Sequence, residues 1–182
     1  MSAYSIAAAK PGDVKTILAF LKDAYSAWYE SQYPREFIEE FVPPLVLHNA
    51  MTDSLGPSFN VVRSRDDIVG CGGWSFEDSL ATPIDARVGH IRFFATSPEH
   101  TRRGIARMIF EKVVEEAERH AVSTLKCLAT LPASRSYQAL GFRRVGAMNF
   151  RLGSGAAFPL ARMEFACAQS CRRAANGQGI DP

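Results

Sequence analysis

Residues 90–106 read His-Ile-Arg-Phe-Phe-Ala-Thr-Ser-Pro-Glu-His-Thr-Arg-Arg-Gly-Ile-Ala. An apolar strand, expected from about Ala86 to Thr96, ends here at Ser97-Pro98. A short basic loop follows, and Gly104 stands where a long helix begins. That helix is predicted over about Arg103–His120, with Ile105, Met108, Ile109, Val113 and Ala117 on one face and Lys and Glu residues opposite. The first backbone N–H groups of a helix have no partner within it, so its N-terminus attracts anions. Gly104 and the small Ala106 would let an anion as large as a diphosphate approach the main chain closely. Arg102, Arg103 and Arg107 could add charge-assisted contacts. No Lys-Ser/Thr pair follows the glycine, which excludes a P-loop nucleotide site.

Outward from this stretch, strands and helices alternate unevenly. On the N-terminal side, Tyr4–Ala8 reads as a strand. Pro11-Gly12-Asp13 opens a helix carrying Val14, Ile17, Leu18, Leu21, Tyr25 and Trp28 at helical spacing. A second helix is expected over Arg35–Phe41, stopped by Pro43-Pro44. Phe59–Arg63 and Ile68–Phe76 read as strands joined by the turn at 64–67. On the C-terminal side come a strand at Thr124–Ala129, a short helix at Ala133–Leu140, and strands at Arg143–Leu152 and Ala161–Cys167. The run of adjacent strands in the middle predicts a mixed sheet flanked by helices rather than a doubly wound α/β fold. One domain over residues 1–168 is expected, with 169–182 a loose polar tail.

Composition narrows the function classes. The chain has 182 residues, 47% apolar and 22% charged, with a formal net charge of +2. So small a charge gives no support to a nucleic-acid partner. No apolar run approaches the ~18 residues of a membrane span. The N-terminus lacks the basic region and apolar core of a signal peptide. Cys71, Cys127, Cys167 and Cys171 form no metal-binding pattern, so neither a metal nor a disulfide framework is expected. Free thiols in a cytoplasmic setting are the expectation.

The 90–106 stretch resembles the acyl-CoA motif of the GNAT superfamily of N-acyltransferases, Gln/Arg-x-x-Gly-x-Gly/Ala. Gly104 and Ala106 match its two small positions, and Thr101 stands where Gln or Arg is usual. A second segment, Thr130–Phe142, resembles the superfamily's Asn-x-x-Ala-x-x-x-Tyr-x-x-x-Gly-Phe element. Ala133, Tyr137, Gly141 and Phe142 are in register, and Thr130 replaces the Asn. The ending Phe158-Pro159 … Arg162-Met163-Glu164 is also similar to members of this superfamily. The likeness spans roughly residues 4–167. It implies a mixed, mostly antiparallel central sheet flanked by helices, an α/β (α+β) fold. It also implies acetyl-CoA as co-substrate, an amine acceptor, direct attack in a ternary complex, and the homodimeric assembly common among members.

The resemblance assigns acyl-CoA contacts to Phe94, Ala95, Thr96, Thr101, Arg102, Arg103, Gly104, Ile105, Ala106, Arg107, Thr130 and Tyr137, with Phe94 and Thr96 acting through backbone groups. It makes Tyr137 the candidate acid for the departing thiolate. His90 stands where some members carry a glutamate base, and an imidazole pKa near ~6.5 suits proton removal at neutral pH. Glu77 is an alternative base. The bland readings are a packed tyrosine and a satisfied strand histidine. Cys127 lies in an apolar strand and reads as an inert thiol rather than a nucleophile. His100 and His120 are expected to be solvated. Trp28, Tyr29 and Tyr33, with Tyr25, are expected near the acceptor, with Trp74 and Phe76 as the opposite wall. Core packing is the competing reading for Tyr25 and Trp28. If these rings are exposed, they suit an aromatic or cationic acceptor. The rival to an enzyme is an acyl-CoA-binding sensor or interaction module, which the departures at Thr101 and Thr130 would suit.

Overall fold

The computed structural model describes residues 3–30, 33, 35, 37–40, 58–77, 83–155 and 157–167. The expected stop at Pro43-Pro44, Cys171 and the 169–182 tail lie outside these. Along the chain run β1 (Ser5–Ala8), a 3-10 turn (Pro11–Asp13), α1 (Val14–Glu30), β2 (Asn60–Ser64), β3 (Asp67–Ser75) and β4 (Val88–Thr96). A second 3-10 turn (Pro98–His100) leads to α2 (Ile105–Arg119). After it come β5 (Thr124–Thr130), α3 (Leu131–Ala139), β6 (Arg143–Arg151) and β7 (Ala157–Ala166). Residues 35 and 37–40 are also helical.

The strands form one seven-stranded sheet in the order β1-β2-β3-β4-β5-β7-β6. Every neighbouring pair is antiparallel except β4–β5, which is parallel. The mixed, mostly antiparallel sheet flanked by helices is as expected. The β7 strand begins four residues earlier than its sequence pattern suggested, because Ala157–Leu160 pair with β6 in a hairpin.

Each face of the sheet carries its own core. On one face α1 presents Ile17, Leu21 and Ala24 to Val61, Cys71 and Ala95. On the other, α2 presents Ile105, Ile109, Val113 and Ala117 to Val62, Val69, Leu125 and Met163. Full burial of an aliphatic side chain such as Ile109 or Leu21 stabilises by about 1.5–3 kcal/mol. Close approach of α2 to the sheet requires Gly70, where a Cβ would lie 2.5 Å from Ile105 Cγ2. The apolar face of α2 is broader than its spacing implied, since Phe110 and Glu116 are also buried. Glu116 is tolerated there because Asn60 Nδ2 donates to its carboxylate at 3.3 Å.

One irregularity organises everything that follows. Cys71 pairs with Ala95 but Gly73 pairs with Arg92, so β4 holds one extra residue against β3. Phe93 takes a left-handed φ of 48° at this bulge. Beyond it, β4 leaves β5. Their ladder covers only Val88/Thr124, Gly89/Leu125 and His90/Lys126, although both strands continue for several residues.

Candidate active site

The parting of β4 and β5 opens a cavity of about 600 Å³. Ile91–Thr96 of β4 and Cys127–Thr130 of β5 line it, α1 covers one side with Tyr25, Trp28 and Tyr29, and α3 contributes Tyr137. Ser97 N–H donates to Val69 C=O at 2.9 Å. By the alternation of an antiparallel ladder, Ala95 therefore faces β3, and the backbone groups of Phe94 and Thr96 turn toward the opening. One of these is already engaged: Thr96 C=O accepts the Trp28 indole N–H at 2.9 Å.

At the α2 end, Gly104 caps the helix with φ +81°, and a Cβ there would meet nothing within 4 Å. Conformation, not crowding, calls for glycine at this position. Arg102 is also left-handed, at φ 60°. These two residues fold the loop so that α2 starts at Ile105, two residues later than expected. Arg102, Arg103 and Arg107 are exposed, Ala106 lines the cavity, and Ile105 is buried in the core behind it. Arg103 Nη1 donates to Tyr4 Oη at 3.2 Å, and the same hydroxyl meets His100 Nδ1 at 3.0 Å. His100 is thus bonded, contrary to the expectation of a solvated ring. His120 is exposed, as expected, although its Nδ1 meets Glu116 C=O at 2.8 Å and its ring packs on Trp74.

Tyr137 is held by the end of α3. Phe142 N–H donates to Tyr137 C=O at 3.0 Å and Gly141 N–H to Gln138 C=O at 2.9 Å, with Gly141 left-handed at φ 98°. This is a Schellman closure, whose usual apolar contact is the Tyr137–Phe142 ring pair at 5.3 Å. Phe94 packs on the other side of the Tyr137 ring at 5.9 Å. Burial pushes the Tyr137 phenol well above its ordinary pKa, and the neighbouring Cys127, Tyr25 and Tyr29 add to the rise. Burial likewise raises the Cys127 thiol, so it is protonated and no nucleophile, as expected of an inert thiol.

Thr130 is 5% exposed and caps α3, which begins at Leu131 rather than Ala133. Its hydroxyl lies against Tyr29 Oη without completing a well-aligned bond. Burial pushes the Tyr29 phenol up to about 12, with the Thr130 hydroxyl working against that rise.

The aromatic run divides. Trp28 is 40% exposed and faces the cavity; Tyr29 is buried and stacks on Tyr25 at 5.9 Å. Tyr33 packs on Phe37 and Phe158; burial raises its phenol pKa, with the Leu131 backbone opposing the rise. Trp74 does not form an opposite wall. It is 5% exposed on the α2 face of the sheet, against Phe76 and His120, because its place in β3 points it away from α1. His90 lines a smaller cavity of about 260 Å³ and is not among the residues around Tyr137. Glu77 is exposed and lines neither cavity.

Three residues at the end of the main cavity away from α2 had no sequence signal. Glu40 accepts 2.6 Å hydrogen bonds from both Ser154 N–H and Ser154 Oγ, which lower its pKa. Arg92 and Arg151 line the same cavity. No cluster of metal-binding side chains occurs among the described residues. No helix there is long and apolar enough to cross a membrane.

The sequence and the fold, compared with known proteins, both find relatives. A protein of Bacillus subtilis (strain 168) described as the uncharacterized N-acetyltransferase YsnE is 29% identical over 109 residues, 56% of this chain and 68% of that protein. The structure of PaiA N-acetyltransferase from Thermoplasma acidophilum, in complex with coenzyme A, superimposes with a TM-score of 0.71 at 15% identity, covering 91% of this chain and 99% of that one. A GCN5-related N-acetyltransferase structure from Rhodopseudomonas palustris gives 0.73 at 12% identity, over 91% and 97%. At such identities the two structures speak for the fold alone. The sequence model of the acetyltransferase (GNAT) family matches residues 18–142, well over half of the chain. The chain belongs to the acetyltransferase (GNAT) family.

Proposed function

We propose that this chain transfers an acetyl group from acetyl-CoA to a primary amine by direct attack in a ternary complex. The observation that carries the reading is the β4–β5 opening, with a glycine-capped helix N-terminus at one end and a protonated, ring-packed Tyr137 within it. The residues present fit acetyl-CoA. Exposed arginines 102, 103 and 107 surround the start of α2 for its phosphates, and the backbone of Phe94 and Thr96 faces the opening for its amide-bearing arm. Ala95 and Ile105 seat these segments from the core. Thr101, which ends the 3-10 turn, and Thr130 shape the loop and the α3 cap. Bound acetyl-CoA supplies the thioester as acyl donor.

The chain's own groups then divide the work. Transfer forms a C–N bond and breaks a C–S bond; the amine gives up a proton and the thiolate gains one. A backbone N–H beside the bulge at Phe93 can polarise the thioester carbonyl. Tyr137 Oη keeps its proton at neutral pH and offers it to sulfur. A thiol pKa near ~8.5 is below that of the phenol, so Tyr137 acts mainly as a hydrogen-bond donor while charge develops, and the departing thiolate then takes its proton from solvent. The amine's proton goes to His90 through water in the neighbouring cavity, since His90 does not line the main one. Glu40 lines the main cavity, but its lowered pKa makes it a weak base. Trp28 and Tyr29 border the acceptor, and Tyr33 supports them from the core.

The reading takes residues 1–168 as one domain. It keeps the cytoplasmic setting and the homodimer that the sequence led one to expect; the buried free thiols Cys71, Cys127 and Cys167 suit a reducing compartment.

The experiment is thiol release from acetyl-CoA across an amine panel, beside calorimetric binding of acetyl-CoA. Amine-dependent release that falls by about 100-fold in Tyr137→Phe, with binding retained, is the expected result. Tight binding without turnover of any amine would favour the sensor reading.

A further inference from the structure

The acceptor side of the site carries charge in an uneven way. The smaller cavity shares Ile91, Arg92, Cys127 and Leu128 with the main one, so the two meet where β4 leaves β5. Register places the side chains around this junction in rows. His90 pairs with Lys126 and Lys126 with Glu164, so these three share one face. Two residues further along, Leu128 pairs with Arg162, and Arg92 follows His90 on the same face. Arg162 is thus the β7 neighbour of Leu128, and Arg92, on β4 where it parts from β5, lines the smaller cavity with both. The stem of Arg162 lies over Gly146, where a Cβ would be 3.8 Å from its Cδ.

Each carboxylate that lines the two cavities among the described residues is already bonded within the protein. Glu164 pairs with Lys126 at 3.5 Å and Arg143 at 3.9 Å. Asp85 accepts Arg87 N–H at 2.9 Å, and Glu40 holds Ser154. Arg162, by contrast, makes no hydrogen bond or ion pair among the described residues, and the same holds for Arg151 at the rim of the main cavity. A polyamine would meet engaged carboxylates and the open guanidinium groups of Arg162 and Arg151. An acceptor bearing an anion would find the reverse.

Resting on the acetyltransferase reading above, we propose that the acceptor is a small primary amine that also carries a carboxylate, read by Arg162 with Arg92 across the Leu128 floor. The site has a second cationic region at the α2 loop. Arg92 lies four residues before Thr96 on β4, roughly 13 Å along the strand, so the two anion sites are separate. A guanidinium matches a carboxylate with two parallel hydrogen bonds, which a neutral amide cannot reproduce.

The test compares matched amines with acetyl-CoA: glycine with glycinamide, tryptophan with tryptamine, lysine with cadaverine, and phosphoethanolamine as the phosphate arm. The carboxylate member of each pair is expected to have a kcat/KM at least about tenfold above its partner. Arg162→Gln should abolish that preference while the calorimetric affinity for acetyl-CoA stays unchanged. A preference for cadaverine or tryptamine, a preference for phosphoethanolamine alone, or selectivity that survives Arg162→Gln would overturn the proposal. If no amine is turned over, binding of the free amino acids to the CoA-loaded protein decides: Arg162-dependent binding supports the anion site and its absence overturns it. Failure of acetyl-CoA itself to bind would instead strike the acetyltransferase reading.

Discussion

At the α2 end of the cavity, Phe94, Ala95, Thr96 and Ala106 all come from one run of sequence, which continues into the exposed arginines 102, 103 and 107. At the other end, Glu40, Arg92, Arg151 and Gly153 come from three segments that meet only in the folded chain. The first end is made largely of backbone: a helix N-terminus, a left-handed glycine and a strand edge. The second is made of side chains held by long-range contacts, such as Ser154 on Glu40, 114 residues apart. A backbone site binds a common ligand and tolerates side-chain change. A side-chain site sets which acceptor enters, and it can be altered without disturbing the first.

The largest effect that could break this comparison concerns Gly104. Its φ of +81° costs an L-residue about 1–2 kcal/mol, more for a β-branched one, although the space beside it is open. Gly104→Val is expected to weaken acetyl-CoA binding about tenfold or more by calorimetry, because relieving φ rotates the first N–H groups of α2. The acceptor KM, measured at saturating acetyl-CoA, should change little. Unchanged acetyl-CoA affinity would mean that the helix N-terminus does not hold the cofactor.

A smaller effect sharpens the other side. Ser154→Ala removes the hydroxyl donor to Glu40 and leaves the backbone one. The acceptor KM is expected to rise by about two- to fivefold, with acetyl-CoA affinity constant. Equal changes in both constants would show that the two ends are not separable. The same substitution lets the Glu40 pKa rise toward its ordinary value. The stability this carboxylate contributes, present above its unfolded pKa and lost as pH falls through its lower folded one, should shrink accordingly.

The two ends differ in legibility for the same reason that they differ in construction. Gly104, Ala106, Tyr137, Gly141 and Phe142 stood out through the resemblance of two short motifs, and such motifs are short because the structures they encode are local: the Schellman closure spans only Tyr137 to Phe142. The fold followed from the alternation of strands and amphipathic helices, with boundaries within a few residues. What failed was orientation across the sheet. Trp74 lies in a β3 run buried on both faces, where an apolar pattern does not say which face a ring takes. His90 fell outside the main cavity because a bulge at Phe93 shifts the later residues of β4 relative to it, and bulges carry no reliable sequence mark. Glu40, Arg92 and Arg151 gave no signal because charged residues on solvated elements look alike until the fold brings them together.

The smallest effect separates the seat of α2 from its N-terminus. Glu116 is buried on that helix with Asn60 Nδ2 as donor, while Asn60 Oδ1 has no partner. Burial raises the Glu116 pKa, with the Asn60 bond opposing the rise. A carboxyl whose folded pKa is raised binds its proton more tightly in the native state. The folded protein therefore loses stability as pH rises from the ordinary carboxyl range through the folded value, and the loss persists at neutral pH. Glu116→Gln removes that penalty and supplies an amide able to donate to Asn60 Oδ1. Denaturant unfolding at pH 7 is expected to show the variant more stable by up to about 1 kcal/mol. The difference should fade below the ordinary carboxyl pKa, where Glu116 is itself protonated. Acetyl-CoA affinity should not follow, since the change lies three turns from Gly104. A variant less stable at neutral pH would mean that the ionised carboxylate is a net support for the helix, and that α2 is seated by charge as well as by its apolar face.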